Sequence, residues 1–236
     1  MRILTITPTH NSKNKSDATG AFIPEALEYR ACMSALYPSA SIFAVKFDNS
    51  QKVKAKRRTE VEKLIWETGG DGLWDVIAFF GHGLKDALQS GHDLKTAEDL
   101  AEVIALRSSD TVVIPLYACD AADTKVKDGP GGDGGMADAL RDILSSRNKL
   151  GHIDAHVTTG HTTINPNVRR FAKDGRGPLT GGHYLVEPKP AKDATEAQRA
   201  AVSKLWSRWR RALSDTDLRF RFPLMTQAEI HAELLA

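Results

Sequence analysis

Cysteine is almost absent from this chain, with two in 236 residues, Cys32 and Cys119. That excludes a disulfide framework and points to a reduced, cytoplasmic setting in which a thiol can stay reactive. Neither sign of charge prevails. Lys plus Arg number 32 against 30 Asp plus Glu, a net charge of +2, so nothing in the charge balance calls for a nucleic-acid partner. Long apolar runs are missing too. None approaches the roughly 20 residues needed to cross a bilayer, and no membrane partner is expected. The first residues, "MRILTITPTHNSKNK", have too short an apolar run and no small-residue cleavage site for a secretory signal. No internal repeat is present. What remains is the composition of an ordinary globular protein, 41% hydrophobic and 26% charged, of a length that suits one large domain or a domain with an extension.

The apolar pattern alternates between strand and helix. Strands are expected over residues 2–7, 41–47, 75–80 ("DVIAFF"), 111–118 ("TVVIPLYA"), 153–159 ("IDAHVTT") and 183–187 ("HYLVE"). Helices are expected over 24–36, 59–68, 96–106 and 136–146, with Pro24 in a first turn and Thr96 as an N-cap in a box-like arrangement with Asp99. The 75–80 and 111–118 runs are continuously apolar, as central parallel strands buried on both faces are. Pro115 is the blemish in the second, because it removes a ladder hydrogen bond. Strand alternating with helix predicts an α/β, three-layer domain, a mostly parallel sheet with helices on both faces, over residues 1–187. A C-terminal helical extension, residues 188–236, is expected to pack on the same domain. Its Trp206 and Trp209, three apart among basic residues, are expected to dock on the sheet rather than on a membrane.

Two central strands end on reactive side chains. "VIAFFGHG" stops at His82 and "VVIPLYACD" at Cys119. Parallel sheets carry their chemistry at the carboxyl ends of strands, and neighbouring strands lie about 4.8 Å apart. A thiol there is a weak nucleophile until an imidazole takes its proton or pairs with the thiolate. The same imidazole can later protonate a leaving amine. Gly83 allows close approach of a substrate backbone, and its N–H together with that of Cys119 can stabilise an oxyanion. Each such donor is worth about 3 kcal/mol of barrier.

These blocks resemble those of the caspase-like cysteine peptidases, a clan that includes caspases, metacaspases, legumains, clostripain, gingipains and CHAT domains. "AFFGHG" is similar to the clan's apolar block ending in His-Gly, and "IPLYAC" to its block ending in a small residue and Cys. "GGMADAL" is similar to the helix that follows the cysteine in CHAT domains. The resemblance covers residues 1–187. It implies a caspase-like fold and a cysteine endopeptidase, with Cys119 as nucleophile, His82 as general base and acid, and Gly83 as an oxyanion donor. A peptide or protein would be the substrate, with room for an activating or regulatory protein partner and no need of a cofactor. The chain departs from the clan in reading "CDAAD" where many members place a glycine soon after the cysteine. The loop "DAADTKVKDGPGGDGG" stands where activating cleavage occurs in caspases, so a processing or gating role is expected.

Rival readings attach to other residues. A caspase-fold interaction module would keep these residues without activity. A metallohydrolase would use His152, Asp154 and His156, which alternate onto one strand face, although Gly151 suggests that His152 lies in a turn. Thr159 and His161 are candidates to line a peptide cleft. His92 has no evident partner, and Cys32 reads as helix packing. Arg30 or Lys13 would select acidic substrate residues, whereas Asp120 or Asp123 would select basic ones.

Overall fold

The computed structural model describes residues 1–9, 22–123, 134–156, 168–172, 195–200 and 203. Strand β1 (Arg2–Pro8) leads to helix α1 (Phe22–Leu36), β2 (Ser41–Phe47), α2 (Lys54–Glu67) and β3 (Trp74–Phe80). A short hairpin follows, β4 (Gly83–Leu84) and β5 (Ala87–Leu88), then α3 (Ala97–Arg107) and β6 (Ser108–Tyr117). Helix α4 (Met136–Ser146), β7 (His152–His156) and β8 (Val168–Phe171) complete the described elements.

Six strands form one sheet in the order β2-β1-β3-β6-β7-β8. All neighbours are parallel except β7 and β8, which are antiparallel. Side-chain alternation along each strand sorts residues onto two faces. Ile77, Phe79, Ile114, Leu116, Ile153 and Ala155 face one side and pack with Val61 and Ile65 of α2, Leu100 and Ile104 of α3, and Leu140 and Leu144 of α4. Ile3, Val76, Ala78 and Phe80 face the other and pack with Phe22, Ala26 and Tyr29 of α1. Helices therefore cover both faces, and the α/β, three-layer architecture with a mostly parallel sheet is as the pattern predicts. The two continuously apolar runs are the middle strands β3 and β6, buried from both sides. Pro115 is tolerated inside β6, opposite Asp154.

Several local expectations are corrected. The β4–β5 hairpin was not anticipated, and neither was β8. The 183–187 strand and the cluster around Trp206 and Trp209 lie outside the described residues. Thr96 precedes α3 but makes no side-chain cap. Its hydroxyl instead accepts the Asp93 N–H at 3.0 Å, closing the loop before the helix. His152 is the first residue of β7, paired with Val113, not a turn residue. Gly151 is glycine because its Cα lies against the Val112 carbonyl, where a side chain would collide. Of the extension, Gln198 hydrogen-bonds the Ser34 hydroxyl of α1 at 2.9 Å. Among the described residues no helix is long and apolar enough to cross a membrane.

Candidate active site

The site is built where β3 and β6 run out. Phe80 and Tyr117 are register partners, and their rings stack with centroids 4.6 Å apart and planes 16° apart. His82 and Cys119 each follow two residues later. Equal steps from a register pair bring both residues to the same rim, in phase with the face that α1 covers. Phe22, at the start of α1, sets the edge of its ring against the His82 imidazole at 4.9 Å. The Gly81 N–H still reaches the Tyr117 carbonyl at 3.2 Å, so the ladder extends one residue beyond β3.

Gly83 closes the distance between the two segments. A Cβ at this position would stand 2.5 Å from the Cys119 carbonyl oxygen and 2.7 Å from the Ala118 Cβ. Glycine is required here by proximity. The segments that carry His82 and Cys119 are therefore in direct backbone contact at the ends of the two central strands. Cys119 is half-buried and carries no disulfide. The Nε2 of His82 is buried and has no hydrogen-bond partner among the described residues.

The chain turns sharply after the cysteine. The Ala121 N–H points back to the Ala118 carbonyl at 3.5 Å, and Asp120 inside this turn has a left-handed φ of 56°. Aspartate tolerates that conformation better than most residues because its short carboxylate can bond locally. Asp120 thus makes this turn without a glycine. Ala121 and Ala122 are fully buried. The Ala122 N–H donates to the His156 carbonyl at 2.9 Å, and the Ala121 carbonyl accepts from Ala137 at 3.0 Å. The turn is thereby fixed to both β7 and the start of α4. Across the site, Lys85 of the hairpin turn pairs with Asp123 at 2.6 Å. That contact raises the Lys85 ammonium above its ordinary value, through hydrogen bonding and charge.

The other candidates separate clearly. Thr159 and His161 lie outside the described residues, as does Lys13. Arg30 reaches across to the Thr5 hydroxyl at 3.3 Å, in the middle of β1 and away from the rim. Asp120 and Asp123 border the site. Cys32 belongs to α1, and its side chain is outside the description. His92 is corrected: it is fully buried, with Nδ1 2.9 Å from Ser90 Oγ and Nε2 3.0 Å from Glu62 Oε1.

The residues of the metal reading do not form a cation site. Asp154 is held by Arg170 through two contacts, at 2.9 and 3.1 Å, and His152 Nε2 lies 3.4 Å away. Burial would raise the Asp154 carboxyl, but the hydrogen bonds and charges of His152 and Arg170 outweigh it and hold the group well below the carboxylate range. A carboxylate already neutralised by a guanidinium is a poor metal ligand. His156 is 1% exposed, with neither ring nitrogen partnered, and burial pushes its pKa down to about 3. Among the described residues no group of three His, Cys, Asp or Glu side chains is arranged to hold a metal ion.

No protein-family model and no curated protein matches this chain. Among solved structures, it is similar to a prephenate dehydrogenase from A. aeolicus in complex with hydroxyphenyl propionate and NAD+, at 10% identity and a TM-score of 0.33. The match covers 89% of this chain and 57% of that one, so the chain spans little more than half of that protein's length. A likeness this slight carries no weight for the fold or the function.

Proposed function

We propose that this chain is a cysteine-type endopeptidase of the caspase-like clan, with Cys119 as nucleophile and His82 as general base and acid. The observation that carries the reading is the contact between the two strand ends: Gly83, next to His82, packs against the carbonyl of Cys119 itself. In the reaction, the Cys119 sulfur bonds to the carbonyl carbon of a peptide while its proton passes to His82. The tetrahedral oxyanion is stabilised by the N–H groups of Gly83 and Cys119. The imidazole then gives the proton to the departing amine, leaving an acyl-enzyme. Water, deprotonated by His82, attacks the thioester and releases the acid product and the thiol.

The sheet order is supportive as well, since it seats the pair on two central strands whose positions are over-determined by packing. Asp120 beside the site favours a basic residue ahead of the scissile bond, whereas Asp123 is already paired with Lys85 and Arg30 is remote from the site. The competing interaction-module reading shares every one of these features except turnover. A thiol-directed activity probe discriminates the two. Labelling of the wild type, lost in both Cys119→Ala and His82→Ala, is expected; equal labelling of wild type and His82→Ala refutes the dyad. Processing is tested on a denaturing gel, where an active enzyme whose chain stays whole after long incubation excludes cleavage of the 120–135 loop.

A further inference from the structure

His82 lies beyond the last register pair of β3, where the ladder no longer holds its backbone. One residue replaces the ladder. The His82 N–H donates to Gln89 Oε1 at 2.9 Å, and the Gln89 N–H donates to the His82 carbonyl at 2.8 Å. Gln89 therefore binds both polar backbone groups of His82, one through its side chain and one through its main chain.

Gln89 is itself anchored from α2. The Arg57 Nε donates to the Gln89 carbonyl at 3.0 Å, and Arg58 donates to the Gly91 carbonyl at 3.3 Å. Glu62 accepts from the buried His92 at 3.0 Å, while the His92 carbonyl takes the Leu88 N–H at 2.8 Å. Hydrogen bonding to His92 holds the Glu62 carboxyl below its ordinary value against the opposing effect of burial. Helix α2 thus holds the segment at Gln89, Gly91 and His92. The requirement at position 89 is specific, because the side chain must supply an acceptor oxygen at the end of two methylenes.

We infer that Gln89 is the positioning residue for His82, a role resting on the reading of His82 as the base for Cys119, and that α2 is the frame against which it holds the imidazole. Leucine at 89 would keep the volume and remove the acceptor. The rate of Cys119 alkylation by iodoacetamide at pH 6, with the difference between wild type and His82→Ala defining the imidazole-dependent part, tests this. Gln89→Leu is expected to fall to the His82→Ala rate, about tenfold or more below wild type, since small misplacements of a reacting group cost up to a hundredfold. A Gln89→Leu protein that alkylates like wild type, while His82→Ala is slow, overturns the inference and leaves the dyad standing. Equal rates for wild type and His82→Ala overturn the dyad itself, and the inference with it. Should Gln89→Leu fail to fold, Gln89→Glu decides. It retains the acceptor oxygen and sets a carboxylate beside His82, so the acid limb of the alkylation profile moves to higher pH as the imidazolium is stabilised. An acid limb that stays in place overturns the inference, because a merely structural side chain would not move it.

Discussion

A single methyl group at Gly83 measures how tightly the two strand ends are joined. In Gly83→Ala the new carbon would lie 2.5 Å from the Cys119 carbonyl oxygen, 2.7 Å from the Ala118 Cβ and 3.0 Å from the Ala118 carbonyl carbon. None of these belongs to the far end of a flexible side chain. Ala118 is 2% exposed, and the turn behind it is pinned to β7 and α4 through Ala122 and Ala121. The strain must therefore be taken up by backbone, at roughly 1–3 kcal/mol for overpacking of this kind. In a chain of this size that lowers Tm by roughly 3–10 °C. Gly70→Ala is the control, because Gly70 has a φ of 70° and nothing within 4 Å of its added carbon. Its cost is conformational only, about 1 kcal/mol, and leaves Cys119 untouched. Thermal unfolding followed by circular dichroism, with the iodoacetamide rate of Cys119 measured alongside, reads both effects. A Gly83→Ala protein with wild-type Tm and wild-type alkylation would show that the strand ends are not in contact, and the argument for the site would fail.

Three further outcomes follow from the geometry. His156 is buried neutral with a pKa of about 3 against an ordinary 6.5, so the unfolded chain binds one proton more between those values. Stability then rises with pH across that window by up to about 1.4 kcal/mol per unit. His156→Leu should flatten this slope in urea titrations at pH 5 and pH 7, and an unchanged slope refutes the assignment. Asp154→Asn strands the guanidinium of Arg170 at the edge of the sheet and should cost roughly 2–3 kcal/mol in the same titrations; a neutral effect would mean that the pair contributes nothing. At Asp120, whose φ is 56°, valine should cost about 1–2 kcal/mol while glycine is tolerated, and equal stability of the two variants would rule out a left-handed turn.

The middle of the sheet was legible because burial on both faces leaves an unbroken apolar run. β3 and β6 carry such runs, and the alternation of strand and helix limits how they can be joined. His82 and Cys119 were visible as the polar ends of those runs. The β4–β5 hairpin was not, since two residues per strand are too few to show a period and its turn, Lys85 and Asp86, lacks glycine. β8 was hidden for a different reason. "VRRF" places two arginines in four residues, and Arg170 reads as a surface charge until Asp154 is seen opposite it. The same holds for His92, whose partner Glu62 lies 30 residues earlier on another element.

Local sequence determined the longer parallel strands, the helices between them, and which side chains end the two central strands, because hydrophobic period and residue type are properties of neighbouring positions. Only the tertiary structure decided that Asp154 is neutralised by Arg170, that Asp120 turns the chain after the cysteine, and that Gln89 holds the backbone of His82. Each of these depends on a hydrogen bond, a charge or a steric limit fixed by the folded arrangement of the chain, and no pattern along the sequence records it.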